Sequence, residues 1–296
     1  LRVRRVDRRD IVTVDLDRLA QWMDGQGLGS GRISGATLLA GGSQNILLRF
    51  TRKGRDYVLR RPPLHVRANS NETMRREARL LAALAGTCVP HPRLIAACGD
   101  EAVLGAAFYL MEPVTGFNPQ NGLPASHHPA EVQRRMGHAL VEGLAALHGL
   151  DHAALGLADF GKTEGFIERQ VVRWRGQLEG YGALAGWPGA AGLGPVAGVA
   201  DWLEAHRPAQ FTPGILHGDF HLANAMFRED GPELAAIIDW ELATIGDPLI
   251  DLGWLLATWP QAADGGMLGI TPWNGFPAAG ELVRRYAGHA SRSVEA

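Results

Sequence analysis

The sequence of 296 residues has few cysteines, no long apolar run and no excess of charge of either sign. Its two cysteines, Cys88 and Cys98, are too few for a disulfide framework or a cysteine-rich zinc site, which indicates a reducing, cytoplasmic location. A membrane-spanning helix needs about 18 consecutive apolar residues. No such run occurs, so no membrane span is expected. Lys and Arg number 29 against 31 Asp and Glu, so the basic excess of nucleic-acid-binding proteins is absent and no nucleic-acid partner is predicted.

What the sequence does contain is a large apolar fraction, 46%, together with 20% charged residues. This balance excludes intrinsic disorder and supplies the core of one large domain or two modest ones. Residues 1–10 mix arginine and aspartate with valine and contain no apolar signal core. They also lack an initiator Met, so we expect residues to be missing upstream.

Alternating apolar residues and turn signals predict a β-rich first third of the chain. A helix over 71–85 interrupts the strands, and Glu77 lies one turn before two of the three leucines of its apolar stripe, on the same side. Prolines and glycines break the pattern from 113 to 124, which predicts a domain boundary. The predicted strands cover residues 33–39, 45–51, 57–61, 93–98 and 107–111.

Beyond this boundary the pattern becomes mainly helical, with helices predicted over 129–148 and 164–180. Short strands are expected at 215–217 and 235–239, and a further helix begins at Asp247-Pro248. The whole pattern predicts an α+β fold of two lobes, a β-rich N-lobe over 1–113 and a helical C-lobe over 114–296. The residues expected to face inward from the 164–180 helix are Phe166, Ile167, Val171, Trp174 and Leu178.

The densest group of polar residues within apolar surroundings is the stretch ILHGDFHLAN at 215–224. Asp219 and Asn224 lie in it, and Asp239 follows a second apolar strand. Carboxylate and amide oxygens suit Mg²⁺, which usually binds one or two carboxylates together with phosphate oxygens and water. An Asp five residues before an Asn, with a later Asp, is also the spacing of the kinase catalytic loop and its metal ligands. The stretch therefore predicts phosphate chemistry at a Mg²⁺ site.

A metallohydrolase is the alternative for the same stretch, because His217, Asp219 and His221 bring imidazole and carboxylate ligands that suit zinc. The sequence contains no HExxH motif and no second histidine pair in a comparable strand and loop context. We therefore expect His217 and His221 to orient the loop by hydrogen bonds rather than to bind a metal.

Signals for phosphate binding in the first third are weaker. Neither GxxxxGK[ST] nor GxSxG occurs. The Gly-rich turn 39–46, with Ser43 at its tip, can cover nucleotide phosphates, although a plain hairpin turn is the simpler interpretation of this motif alone. Strand alternation puts Arg60 where kinases carry a lysine that pairs with a helix glutamate, and Glu77 is the candidate partner. Solvent-exposed charges are the alternative for both residues.

In chain order, the Gly-rich turn and five later segments resemble the aminoglycoside phosphotransferase/choline kinase superfamily. The segments are VLRRPP, RREARLLAAL, FYLMEPVTG, LHGDFHLANAMF and IIDWELATIGDPLIDLGW. The resemblance runs from about Leu38 to Trp259 and is closest to the kinase-like domains fused to acyl-CoA dehydrogenases. It implies a bilobal protein-kinase-like fold and an ATP- and Mg²⁺-dependent phosphotransferase acting on a hydroxyl of a small molecule. A functional link to an acyl-CoA dehydrogenase is a further implication.

The resemblance also implies roles for individual residues. Asp219 would be the catalytic base, and Asn224 and Asp239 would be the Mg²⁺ ligands. Glu112 and Val114, in the hinge between the lobes, would offer backbone groups to adenine.

Two further implications concern the last helix and the phosphate side. Asp251 would brace the catalytic loop from inside that helix. Arg60 stands where many relatives carry Lys, and its forked side chain keeps the charge and the phosphate contacts but is bulkier. Because the branch commonly carries Arg there, the departure does not indicate an inactive enzyme. The chain also ends soon after a helix near 279–290, where relatives usually continue, so we expect part of the acceptor side to be missing.

The acceptor is less well specified than the donor. An aminoglycoside acceptor would favour an acidic rim, whereas 116–130 and 181–200 contain no marked acidic run. A neutral or anionic acceptor is therefore favoured, and the resemblance points to a hydroxyacyl-CoA-type metabolite. The alternative that is not an enzyme is a nucleotide-binding pseudokinase scaffold. Loss of Asp219, Asn224 or Asp239 would favour it, but all three are present. A protein kinase is disfavoured because HGD and IDW replace HRD and DFG.

Overall fold

A five-stranded antiparallel sheet occupies the first third of the chain in the computed structural model, which describes residues 14–39, 45–63, 69–184, 186–187, 189–260 and 266–294. Ser43 therefore lies outside the described residues. All five strands agree with those predicted from the sequence to within two residues at each end. They are β1 (Ser34–Leu38), β2 (Ile46–Arg52), β3 (Arg55–Arg61), β4 (Leu94–Cys98) and β5 (Phe108–Met111), in the spatial order β1-β2-β3-β5-β4.

Strands β2 and β3 are joined by the tight turn Lys53-Gly54, where both residues have positive φ, 51° and 75°. This backbone matches the twist of the flanking strands, and glycine adopts it without strain. The turn sets the register in which Leu47 lies opposite Arg60. Because β3 is the central strand of the sheet, its side chains are covered on both faces, and residues 58–61 are all buried.

Helix α1 (Leu16–Gly25) packs on this sheet and was not expected from the sequence pattern. It begins after Asp15, whose carboxylate accepts the Arg18 N–H at 2.9 Å. It buries Leu19 and Met23 in a core cluster with residues of β2, β3 and β5. The cap and the i, i+4 pair of apolar residues are the signals that predict such a helix.

Helix α2 (Ser70–Leu84) confirms the helix predicted over 71–85. Its three stripe leucines, Leu80, Leu81 and Leu84, are buried, and Glu77 is buried beside them. The stripe belongs to a core cluster that continues into the helical part of the chain, where Leu144 is one of its members. A short helix, α3 (Glu101–Leu104), precedes β5.

The second part of the chain is mainly helical and contains two short sheets of two strands each. Strand β6 (Gly214–Leu216) pairs with β9 (Thr244–Gly246), and β7 (Ala225–Phe227) pairs with β8 (Leu234–Ile237), both antiparallel. Among the described residues, no helix combines the length and the apolar character needed to cross a bilayer. The elements are α4 (Ala130–His148), α5 (Glu168–Gly180), α6 (Val196–Ala205), β6 (Gly214–Leu216), β7 (Ala225–Phe227), β8 (Leu234–Ile237), β9 (Thr244–Gly246), α7 (Leu249–Thr258) and α8 (Ala279–His289).

The predicted inward face of the helix over 164–180 is wrong in part. Phe166 and Val171 are buried, but Trp174 is 54% exposed. The helix begins at Glu168, four residues later than predicted, and it packs against α6, which is itself largely exposed. Helical periodicity identifies an apolar face but does not show which element covers it.

Candidate active site

The loop between β6 and β7, residues 217–224, contains the polar motif and begins with a constrained glycine. Gly218 has a φ of 86°, and a Cβ at this position would lie 2.5 Å from the Leu242 carbonyl oxygen. Only glycine combines this left-handed backbone with so close an approach. The turn leaves His217 fully buried and Asp219 at the surface of the loop, where the Asp219 side chain is 35% exposed.

Asp251, buried in the first turn of α7, holds the start of the 217–224 loop. Its carboxylate accepts the backbone N–H groups of His217 at 2.6 Å and of Gly218 at 2.8 Å. A ring nitrogen of His148 lies 3.4 Å from the same carboxylate, and the other lies 2.7 Å from the Tyr286 hydroxyl. Burial lowers the pKa of His148 although Asp251 raises it, so this imidazole is neutral at pH 7. Asp251 thus fixes the loop through its backbone.

His217 uses both ring nitrogens within the protein. Its Nε2 lies 2.9 Å from the Ile238 carbonyl oxygen and therefore carries the proton, and its Nδ1 accepts the backbone N–H of Asp219 at 3.3 Å. Burial lowers the pKa of His217, which keeps the ring neutral. A ring engaged at both nitrogens does not bind zinc. No group of three or more His, Cys, Asp or Glu residues within the described part of the chain is arranged to hold a metal.

Three side chains hold the Asp219 carboxylate. Asn224 Nδ2 donates to Oδ2 at 3.1 Å, and Trp254 Nε1 donates to Oδ1 at 2.8 Å. His221 Nε2 lies 3.5 Å from Oδ2. Partial burial raises the pKa of Asp219, but His221 and Trp254 outweigh it and lower the pKa below its usual value. The carboxylate is therefore ionised at neutral pH and free to accept a proton.

Asp239 follows β8 in a left-handed conformation, with a φ of 68°. The N–H of Ile238 donates to the Asn224 carbonyl at 2.9 Å, which makes Asn224 and Asp239 neighbours across the β7–β8 pair. The Asn224 amide NH₂ faces Asp219, so its oxygen is the atom available to a cation. A carboxylate and an amide oxygen on neighbouring residues are donors of the kind that Mg²⁺ prefers.

Arg60 connects the sheet to this site. Its Nε lies 3.0 Å from Glu77 Oε2, and its Nη2 lies 2.6 Å from Asp239 Oδ1. Burial alone would lower the pKa of Arg60, but Glu77, Tyr109 and Asp239 raise it, so the guanidinium is charged. Burial raises the pKa of Glu77 to about 7, opposed by Arg60 and by the Tyr109 hydroxyl, which donates at 2.7 Å. Both side chains lie in the interior, and the interpretation of Arg60 and Glu77 as solvent-exposed charges is wrong.

Four contacts of the site do not follow from the sequence pattern. Trp254 contacts Asp219, and Tyr109 contacts Glu77. Glu241 lies 3.6 Å from Arg60 Nη2 and accepts the Asn45 side-chain amide at 3.1 Å. Strand pairing places Tyr109 directly opposite Arg60, so strand register is the signal that identifies it. Trp254 and Glu241 lie within motifs quoted for the resemblance, but no local pattern gives either of them a role.

The hinge residues Glu112 and Val114 lie in a short segment after β5. Some hydrogen-bonding groups of Glu112 already bind other parts of the protein. The Glu112 N–H donates to the Arg93 carbonyl at 2.9 Å, and its carboxylate lies 3.0 Å from Arg55 Nη2. The Glu112 carbonyl and the Val114 backbone are what this segment offers to a ligand. A cavity of about 590 Å³ lies between the hinge and the 228–230 turn, and neither Arg60 nor Asp239 lines it. This cavity therefore borders the hinge rather than the residues around Asp219 and Asp239.

Comparison with known proteins identifies the family. The sequence model described as "Phosphotransferase enzyme family" matches residues 35–273, most of the chain. The chain belongs to the phosphotransferase enzyme family. A solved structure of a Ralstonia eutropha protein, described as a candidate aminoglycoside phosphotransferase, is 30% identical, covers 95% of this chain and 82% of its own, and has a TM-score of 0.75. An aminoglycoside-3'-phosphotransferase of type VIII, 19% identical, covers 95% of this chain and 94% of its own with a TM-score of 0.61, which shows the fold alone.

Two curated relatives are similar to this phosphotransferase-family chain. Acyl-CoA dehydrogenase family member 10 of Mus musculus is 33% identical over 204 residues, which are 68% of this chain and 18% of that protein. Acyl-CoA dehydrogenase family member 11 of Homo sapiens is 33% identical over 242 residues, 80% of this chain and 30% of that protein. This chain therefore spans between about a fifth and a third of those relatives. The bilobal, kinase-like α+β fold expected from the sequence is confirmed.

Proposed function

We propose that this chain is an ATP- and Mg²⁺-dependent phosphotransferase that moves the γ-phosphoryl group to a hydroxyl of a small molecule. The observation that carries the proposal is a single group of charged and polar side chains in contact with one another. There an ionised Asp219 contacts Asn224, and the adjacent Asp239 pairs with Arg60 from the sheet. A base, a pair of oxygen ligands and a cation for phosphates are the parts that phosphoryl transfer needs, because positioning and charge neutralisation supply most of its catalysis.

Asp219 has the properties of the base. Its carboxylate is ionised, partly exposed and held by donors at both oxygens. The acceptor hydroxyl gives its proton to Asp219 while its oxygen forms a bond to the γ-phosphorus. The bond from the γ-phosphorus to the bridging oxygen breaks, and its electron pair leaves with ADP. His217 and His221 support the loop and stay outside the proton transfer.

Asn224 and Asp239 would hold Mg²⁺, which would neutralise the charge of the phosphate oxygens when bound. Arg60 would contact the phosphates while Glu77 keeps its guanidinium in place, since the same guanidinium already reaches Asp239. The Glu112 carbonyl and the Val114 backbone would contact adenine, and Ser43 would cover the phosphates from the Gly-rich turn.

The acceptor we propose is a hydroxyacyl-CoA-type metabolite. Support comes from the curated relatives, whose names are those of acyl-CoA dehydrogenases. The surface beside Asp219 agrees with an acceptor that has an apolar part, because Leu242 lies against Gly218, Trp254 contacts Asp219, and both side chains are exposed. A functional link to an acyl-CoA dehydrogenase follows as a part of this proposal.

The test is an ATP-consumption assay with Mg²⁺ and a panel of hydroxylated metabolites that includes hydroxyacyl-CoAs and kanamycin. Asp219→Asn should lower turnover by roughly 10²- to 10⁴-fold, the usual contribution of a positioned general base, and leave Mg-ATP affinity unchanged. Asp159→Asn is the matched control, because Asp159 is an exposed aspartate paired with Arg79 and does not line the hinge cavity. It should behave as wild type.

The outcomes of this assay separate the candidate functions. Turnover of a hydroxyacyl-CoA supports the proposed acceptor, and turnover of kanamycin in its place would identify an aminoglycoside kinase. Mg-ATP binding without turnover of any acceptor would indicate a pseudokinase scaffold. Near-native turnover in a folded Asp219→Asn variant would remove Asp219 from the role of base.

A further inference from the structure

Helix α7 contacts the 217–224 loop twice, one helical turn apart. Asp251 accepts backbone N–H groups at the start of the loop, and Trp254, three residues later, reaches the Asp219 side chain. Residues at i and i+3 lie on neighbouring positions of one helix surface. The helix itself is fixed at its start, where Asp247 Oδ1 accepts the Leu249 N–H at 3.1 Å. One rigid element therefore sets both the backbone of the loop and the side chain of the residue proposed as the base.

The two oxygens of Asp219 have different partners. Asn224 Nδ2 donates to Oδ2 at 3.1 Å, and the Trp254 indole N–H donates to Oδ1 at 2.8 Å. Rotation of a carboxylate about its last torsion is broad and roughly two-fold, so a single donor leaves the plane poorly defined. Two donors on opposite oxygens define it. His221 Nε2 also lies 3.5 Å from Oδ2, whereas Oδ1 keeps a second lone pair beside Trp254. An acceptor hydroxyl can therefore bind at Oδ1 without displacing a donor.

Trp254 also differs from Asp251 in burial. Asp251 is fully buried, whereas Trp254 is 43% exposed and lies on the side where Asp219 opens to solvent. Its hydrogen bond to Asp219 is therefore not a requirement of core packing. An indole N–H paired with a carboxylate is a charge-assisted hydrogen bond, which is stronger than one between neutral groups.

We propose that Trp254 is a positioning residue for phosphoryl transfer, whose indole N–H fixes the plane of the Asp219 carboxylate so that the carboxylate faces the acceptor hydroxyl. This inference rests on the proposed function, since it assigns Trp254 a role through the base. It predicts a loss of turnover without a loss of nucleotide affinity. The ring of Trp254 is not required for this role, but its N–H is.

The kinetic test compares Trp254→Phe, which keeps an aromatic ring and removes the donor, with Trp254→His, which keeps an aromatic N–H. The probe is ATP with Mg²⁺, with water in the place of the acceptor. Trp254→Phe should lower kcat by roughly 10- to 100-fold, the value of one hydrogen bond to a charged group. Its KM for ATP should stay within about twofold of wild type, because the residue acts on the transition state alone. Trp254→His should recover part of the loss, and Trp174→Phe, the same change at an exposed tryptophan of α5, should leave kcat unchanged.

A second measurement is independent of turnover. In protein with ¹⁵N-labelled indoles, Trp254→Phe assigns the Trp254 N–H resonance. Asp219→Ala should shift that resonance and leave that of Trp259, which donates to the Pro277 carbonyl, in place. A Trp254 indole N–H whose chemical shift is unchanged in Asp219→Ala would overturn the inference. A kcat for Trp254→Phe within about twofold of wild type would overturn it as well. Asp219→Ala could shift the Trp254 resonance while the wild-type chain turns over ATP with neither water nor any alcohol. In that case the hydrogen bond exists but the proposed function fails, and the role of Trp254 in phosphoryl transfer fails with it.

Discussion

The buried ion pair between Arg60 and Glu77 allows a quantitative test of how the sheet is joined to the proposed phosphate site. Arg60 Nε lies 3.0 Å from Glu77 Oε2, and the two residues are 7% and 2% exposed. At an effective dielectric constant of about 20, two unit charges at this distance attract by about 5 kcal/mol. Removal of the charges from water offsets much of this attraction. We therefore expect a coupling free energy of about 2–3 kcal/mol, near the upper end of measured pairwise couplings.

The two single variants should differ in how far each lowers the free energy of unfolding. In Glu77→Ala, Arg60 keeps its contact with Asp239 at 2.6 Å. In Arg60→Ala, the buried Glu77 carboxylate keeps the Tyr109 hydroxyl as its hydrogen-bond donor among the described residues. Arg60→Ala should therefore lower the free energy of unfolding more than Glu77→Ala does, because a buried carboxylate without its cation is costly. Both variants should also raise the KM for ATP and lower turnover.

The assay is a double-mutant cycle of Arg60→Ala and Glu77→Ala, followed by urea unfolding and by kcat/KM for ATP. The matched control is the cycle at Arg135 and Glu233, an arginine–glutamate pair of almost the same separation, 3.1 Å, in which each side chain is 55% exposed. Exposed pairs couple by about 0.2–1 kcal/mol. A coupling at the buried pair no larger than at the control pair, with unchanged ATP kinetics, would refute the assignment of Arg60 to the phosphates.

The pH at which the cycle is measured changes the expected result. Burial raises the pKa of Glu77 to about 7, from its ordinary value of 4.5. Since the folded chain then binds this proton more tightly than the unfolded chain, the contribution of Glu77 to stability falls as the pH rises from about 4.5 to about 7. Glu77→Gln should remove this part of the pH dependence. The coupling with Arg60 should be largest at about pH 8, where Glu77 is charged, and smaller at about pH 6.

The remaining predictions concern the proposed metal ligands and the brace of the 217–224 loop. Asp239→Ala should weaken the affinity for Mg-ATP more than Asn224→Ala does, because a carboxylate contributes a full charge and an amide does not; calorimetric titrations that give equal affinities would contradict this ranking. Asp251→Asn should lower the free energy of unfolding by about 1–3 kcal/mol, because an amide offers one acceptor oxygen to two buried backbone N–H groups. Asp100→Asn is the control for urea unfolding, because Asp100 caps a helix where Asn is an equally good residue. An Asp251→Asn variant as stable as this control would contradict the proposed brace.

The sequence by itself determined most of the secondary structure and the place of the polar motif. All five strands of the sheet and the helix with Glu77 follow from local alternation, helical periodicity and turn residues. These signals are reliable because each depends on neighbours within a few residues of the chain. The HGDxxxxN stretch is equally local, because the glycine that permits its turn lies beside the aspartate. Helix α1 was missed although its signals are local as well.

Only the tertiary structure decided which residues meet around Asp219 and Asp239. Arg60 and Asp239 are 179 positions apart in the sequence, and Trp254 follows Asp219 by 35, so no local pattern brings either pair together. The same holds for Trp174, whose apolar side chain fits a helical stripe but is 54% exposed in the structure. Periodicity specifies which side of an element is apolar, whereas the contact partner of that side depends on how the elements pack. For that reason the proposed base and the candidate ligands could be named from the sequence, whereas the donor that holds the proposed base could not.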